Sequence, residues 1–154
     1  VAQAALSDYR HSVAPFSDVL EAIMFFSGWI GISIGAALGA LLRWRLGILL
    51  NPVFPTLPLG TLSANLIGGL LIGLVMEYTA LNASIPPALR LAVVTGFLGG
   101  LTTFSTFSAE TVTLLMRREI AWSFAITGAH LLGSLAMTTL GILIIRFLAA
   151  RGTS

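Results

Sequence analysis

Residues 96–110 read GFLGGLTTFSTFSAE, and they decide what kind of fold this chain can have. Three glycines, five hydroxyl side chains and a carboxylate stand among neighbours apolar enough for lipid. Gly96, Gly99 and Gly100 weaken helical preference, while Thr102, Thr103, Ser105 and Thr106 compete with the helix for backbone hydrogen bonds. A helix carrying this stretch is expected to break near residues 99–102. Broken backbone at bilayer depth survives only inside protein or facing water, because its freed amides and carbonyls need partners. The stretch is therefore a candidate site.

The surrounding composition is that of a membrane protein. Of 154 residues, 56% are hydrophobic and 9% charged, against about 25% charged in a typical soluble domain. A bilayer core about 30 Å thick takes about 20 apolar residues per helical crossing. Four windows qualify: 24–42, 59–76, 91–109 and 120–145, the last with His130 as its only ionisable group. The expected fold is an all-α membrane protein with four transmembrane helices in one domain over residues 24–148. Residues 149–154 form a short tail. Residues 1–23 carry Asp8, Arg10, His11, Asp18 and Glu21, and are either a short interfacial helix or sequence upstream of the domain.

Several function classes fall away. The absence of cysteine removes disulfides and thiolate metal sites. The net charge is only +2, every basic residue is arginine and no basic run exceeds two, so there is no nucleic-acid footprint. The first window has no basic front and no small-residue cleavage site, so it reads as a permanent helix rather than a signal peptide.

Four spans place Arg10, Arg90, Arg146 and Arg151 on one side, and Arg43, Arg45, Arg117 and Arg118 on the other. Orientation follows Lys and Arg asymmetry near span ends, and an even tally gives no clear instruction. Both orientations are expected, and with them an antiparallel, dual-topology pair of the kind that inverted repeats achieve within one chain. Gly31, Gly35 and Gly39 on helix one, and Gly69 and Gly73 on helix two, recur every four residues, a spacing that lets helices approach closely in lipid.

Polar residues recur at the same interval. Asn65 shares a face with Gly69 and Gly73, and His130, Ser134 and Thr138 make a stripe on helix four. Uncharged polar stripes on three helices suit either interhelical hydrogen bonding or a desolvating path for a small ion. Carbonyls near the break would hold a cation, whereas amides and hydroxyls would serve an anion. Phe104 and Phe107 stand three residues apart among the hydroxyls; an aromatic edge favours an anion and a face favours a cation. Sequence leaves their orientation open.

GFLGGLTTFSTFSAE, with GALLRW at 39–44 and GTLSANLIGG at 60–69, resembles the Fluc, or CrcB, family of fluoride channels. The likeness covers roughly residues 24–148, and the TTFSTFS run is its most specific part. The resemblance implies an antiparallel homodimer with two fluoride pores, passing fluoride passively out of the cell across the inner (plasma) membrane. It implies that Phe104 and Phe107 line the pores edge-on, that Asn65 donates to the ion, and that Ser134 and Thr138 form a polar track, with His130 beside them. The carbonyls of Gly99 and Thr102 would hold a structural sodium ion at the dimer axis, and Arg43 and Glu110 match structural positions of the family motif. Hydroxyls of Thr106 and Ser108 would add donors to the path. Nothing resembles a nucleophile, a catalytic metal site or a phosphate loop, so no enzyme is expected.

Two other readings compete. A proton-coupled exporter of the small multidrug type is also a four-helix dual-topology dimer, but it needs a carboxylate within the first span, and the 24–42 window has none. A membrane scaffold would use the glycine faces and leave the polar stripes unexplained.

Overall fold

The apolar windows become helices because hydrocarbon offers no water to satisfy backbone amides, so each crossing must bond to itself. The computed structural model describes residues 2–82 and 84–152, the side chains of 2–25 excepted. The described chain is helical, and four stretches are long and apolar enough to cross a membrane: Phe26–Val53, Leu59–Leu81, Pro87–Met116 and Ile120–Gly152.

Each helix runs past the charge that bounded its window, α2 (Leu59–Leu81) by taking in Glu77. Helix α1 (Ala2–Leu50) takes in Arg43 and Arg45, and α6 (Ile120–Gly152) takes in Arg146 and Arg151. Long charged side chains tolerate such positions by reaching an interface or an internal partner. Arg146 meets Glu77 of α2 (Leu59–Leu81) at 2.9 Å, while Arg43 turns inward. The backbone of residues 2–25 continues α1. Whether residues 1–23 lie at an interface turns on side chains outside the described residues, and residues 153–154 of the tail lie outside them too.

Proline and asparagine punctuate the first two spans. Pro52, Pro55 and Pro58 prevent α1 from running into α2. Pro58 precedes α2 without a capping side chain of its own, and Asn51 supplies the missing acceptor, taking the Gly60 amide at 2.8 Å. At the other end Asn82 donates to the Tyr78 carbonyl at 2.9 Å.

The third span is assembled from pieces. Helix α3 (Pro87–Leu91) leads into Ala92–Leu98, a segment wound with wide, five-residue turns, and then into the single turn α4 (Gly99–Leu101). Thr102 and Thr103 are extended, with φ/ψ of −81°/154° and −150°/118°. Helix α5 (Phe104–Met116) completes the span. The turn into α6 closes through a left-handed Arg118, φ 63°, with the Glu119 amide reaching back to the Leu114 carbonyl at 2.9 Å.

Two helix pairs carry the packing: α1 lies along the first half of the third span, and α2 lies along α6. Glycine permits both. A Cβ added at Gly39 would meet the Leu101 nitrogen at 2.7 Å, and one at Gly73 would meet the Thr138 carbonyl carbon at 2.9 Å, so backbone touches backbone. The small-residue stripes thus mark the helix contacts, and the groove between the two pairs contains the broken segment.

Candidate functional site

The extended pair at Thr102 and Thr103 interrupts the helical hydrogen-bond ladder, so its backbone groups must find other partners or go without. The Asn65 carboxamide lies alongside Thr103 like a neighbouring peptide. Its Oδ1 accepts the Thr103 amide at 2.8 Å, and its Nδ2 donates to the Thr103 carbonyl at 3.0 Å. Arg43 Nε donates to the Gly100 carbonyl at 3.0 Å. The Thr103 hydroxyl caps α5 by accepting the Thr106 amide at 3.1 Å, and it donates to the Thr106 hydroxyl at 3.0 Å. The Thr102 amide and hydroxyl both still donate to the Leu98 carbonyl, at 2.9 and 2.8 Å.

A cavity of about 500 Å³ opens beside this segment, between α2, the third span and α6. Six polar residues contribute to its wall: Asn65, Thr102, Thr103, His130, Ser134 and Thr138. Gly99, Phe104 and Phe107 complete the part of the wall nearest the break. Phe104 and Phe107 meet edge-on, with ring centroids 5.5 Å apart and planes inclined at 68°, and Phe107 stacks on the His130 imidazole at 4.7 Å. Phe104 is 79% exposed, so in the single chain most of the residue is uncovered despite its contact with Phe107.

A second cavity, about 340 Å³, lies on the other side of Thr103 and is lined by Arg43, Trp44, Asn51, Thr61, Thr103 and Thr106. Glu110 borders this region: its Oε1 accepts the Thr61 hydroxyl at 2.6 Å, and its Oε2 is buried without a hydrogen-bond partner.

The residues singled out in the sequence therefore divide. Asn65, Gly99, Thr102, Phe104, Phe107, His130, Ser134 and Thr138 meet at the larger cavity. Arg43 and Thr106 line the smaller one. Ser108 lines neither, and its hydroxyl turns back along α5 to the Phe104 carbonyl at 2.8 Å. Three contributors were not singled out as site residues. Thr103 carried a readable signal, a hydroxyl residue directly ahead of a helical run, where an N-cap belongs. Thr61 and Asn51 carried none, because their partners, Glu110 and Gly60, are fixed by helix packing and loop closure.

The available chemistry is uncharged at the larger cavity: hydroxyls, a carboxamide, an imidazole and aromatic rings. One arginine and one carboxylate stand at the smaller cavity. Such a surface can replace the hydration shell of a small ion.

Comparison with known proteins bears on the same region. Residues 30–142 match the family model described as CrcB-like protein, Camphor Resistance (CrcB). A protein named fluoride-specific ion channel FluC from Nitrosospira multiformis is 64% identical over 118 residues, covering 77% of this chain and 92% of that protein. Proteins of the same name from Tolumonas auensis and Pseudomonas syringae pv. maculicola are 54% and 51% identical, covering 73% and 78% of this chain and 89% and 94% of their own lengths.

Proposed function

The chain belongs to the CrcB-like family of membrane ion channels, which are not enzymes, and from that premise we propose that it conducts fluoride passively across the plasma membrane. The observation that carries the reading is the uncharged, donor-bearing cavity built around the break in the third span. Fluoride is small and strongly hydrated, so a path must replace its water with donors at several weak sites, which lets the ion leave as readily as it enters. The hydroxyls on its wall and, in this reading, the ring edges of Phe104 and Phe107 would meet that demand without a fixed positive charge inside the cavity.

The functional unit in this reading is an antiparallel homodimer with two pores. The 79% exposed Phe104 supports it, because a largely uncovered aromatic residue beside the cavity mouth is suited to complete a pore against a second copy. The even division of arginines supports insertion in both orientations. The carbonyls of Gly99 and Thr102, at the break, would suit a hard cation that prefers oxygen. They would hold sodium between the two copies. When bound, sodium supplies a positive charge that ties the interrupted helices together. Arg43 holds the Gly100 carbonyl, which lies between those two positions, to α1.

The deciding experiment loads liposomes containing the purified protein with fluoride and follows efflux with a fluoride electrode, with chloride as control. Rapid, fluoride-selective and electrogenic efflux is expected, and Phe107→Ile should slow it at least tenfold while dimers persist. Liposomes as tight to fluoride as bare lipid would refute the proposal.

A further inference from the structure

The edge of the bundle where α5 gives way to α6 carries two adjacent arginines. Arg117 and Arg118 are both exposed, and among the described residues neither forms an ion pair. Other basic groups are already engaged within the protein: Arg146 holds Glu77 at the opposite edge, and Arg43 is turned inward onto the Gly100 carbonyl. Glu119 follows the pair, and two arginines against one glutamate leave the turn net positive.

The backbone fixes this turn. The Arg117 amide donates to the Thr113 carbonyl at 3.1 Å, the Arg118 amide to the Leu115 carbonyl at 2.9 Å, and the Glu119 amide to the carbonyl of buried Leu114 at 2.9 Å. With these amides committed, binding an anion here falls to the guanidinium groups. Arg118 takes the left-handed conformation, φ 63°, at a position where a helix ordinarily ends in glycine. Its Cβ crowds the following carbonyl there, which glycine would avoid, so the turn itself does not call for arginine.

The neighbours place this edge at the lipid headgroups. Trp122, in the first turn of α6, packs on Phe54 of the loop between α1 and α2 with ring centroids 5.4 Å apart. Each of the two is 40% exposed, the half-covered state of aromatic residues at a membrane–water border. Met116, directly before the arginines, is 82% exposed, and Ile120, directly after Glu119, is also exposed. The positive pair is thus flanked by uncovered apolar side chains.

We propose that Arg117 and Arg118 bind the headgroup of an anionic phospholipid, with Met116 and Ile120 against its acyl chains. Charge complementarity names the occupant. The guanidinium fork matches phosphate oxygens bidentately, and a headgroup without a cation of its own meets both arginines unopposed, whereas a zwitterionic one sets its ammonium against them. Neither arginine lines either cavity, so this surface does not depend on which ion the chain conducts. In an antiparallel pair one such edge faces each leaflet.

The full-length variant Trp29→Phe/Trp44→Phe keeps Trp122 as its only tryptophan. In phosphatidylcholine vesicles, quenching of Trp122 by bromine-labelled acyl chains reads which lipid sits at this edge. Brominated phosphatidylglycerol should be preferred over brominated phosphatidylcholine by about fivefold per arginine at low salt, and less as sodium chloride is added. In the same background Arg117→Gln/Arg118→Gly should remove the preference. Arg118→Gly alone should lower it about fivefold yet raise the melting temperature in uncharged micelles, since it keeps the turn and relieves the crowding, which separates a lost ligand from a lost fold. Equal quenching by the two lipids in the arginine-bearing protein, an unchanged preference in either arginine variant, or a preference abolished by inorganic phosphate at matched ionic strength would each overturn the proposal, the last by showing a site for free phosphate.

Discussion

Replacing Asn65 with alanine removes three hydrogen bonds at once: from the Thr103 amide at 2.8 Å, to the Thr103 carbonyl at 3.0 Å and to His130 Nδ1 at 3.0 Å. Thr103 is only 9% exposed, so water does not replace the lost partners in the native packing. Polar contacts between membrane helices average about 0.6 kcal/mol and hydrogen bonds in general about 1 kcal/mol, so three are worth roughly 2–3 kcal/mol. That sum corresponds to roughly 30- to 150-fold in a local opening equilibrium. Hydrogen–deuterium exchange reads it directly: the Thr103 amide should exchange faster by that factor in Asn65→Ala, while amides inside α2, such as that of Leu71, stay as protected as before. A Thr103 exchange rate within threefold of the parental protein would refute the reasoning, because the carboxamide would then not be what holds the extended segment.

The glycine contacts make a paired test. Gly73→Ala should destabilise the protein by about 1–3 kcal/mol, because the new Cβ meets the Thr138 backbone; Gly128→Ala, with nothing within 4 Å, should be neutral or gain up to about 1 kcal/mol. Denaturant unfolding in micelles compares them. Thr61→Val strips the half-buried Glu110 of the one side-chain hydrogen bond it makes among the described residues, at 2.6 Å, and should cost about 1.5–3 kcal/mol, while Glu110→Gln keeps an acceptor for Thr61 and should cost less. A double-mutant cycle on thermal unfolding measures the coupling, and additive effects would show the contact to be inert. The chain lacks cysteine, so Asn82→Cys carries the only thiol; an impermeant reagent should reach it from both faces of the membrane, and labelling from one face alone would contradict insertion in two orientations.

How much of the site could be read in advance differs from residue to residue. Asn65 was legible because a membrane chain keeps a carboxamide only where it faces protein or a partner helix, whereas Phe104 and Phe107 stood out only through the family resemblance. Ser134 and Thr138 followed from helical spacing alone. The commitments of their hydrogens did not, since Thr138 bonds back to Ser134 of its own helix and Asn65 bonds across 38 residues to Thr103. Arg43 read as a border charge, yet it lies within α1 and holds a carbonyl of the third span. A charge-free window locates the lipid-facing part of a helix, and a long side chain with an internal partner lets the helix continue past it.

The sequence by itself determined that this chain forms apolar helices, where they approach one another, and which stretch resists helix formation. Those are local properties: hydropathy over about 20 residues, glycine every fourth position, and hydroxyls competing with their own backbone. Only the tertiary structure decided which donors remain free, because a hydrogen is committed or available according to what a different helix brings within 3 Å. The hydrogen-bond partner of His130 Nδ1 is the sharpest case. No feature of its own neighbourhood in the chain specifies it, and it is a carboxamide on α2 whose orientation is in turn set by the backbone of Thr103 on the third span.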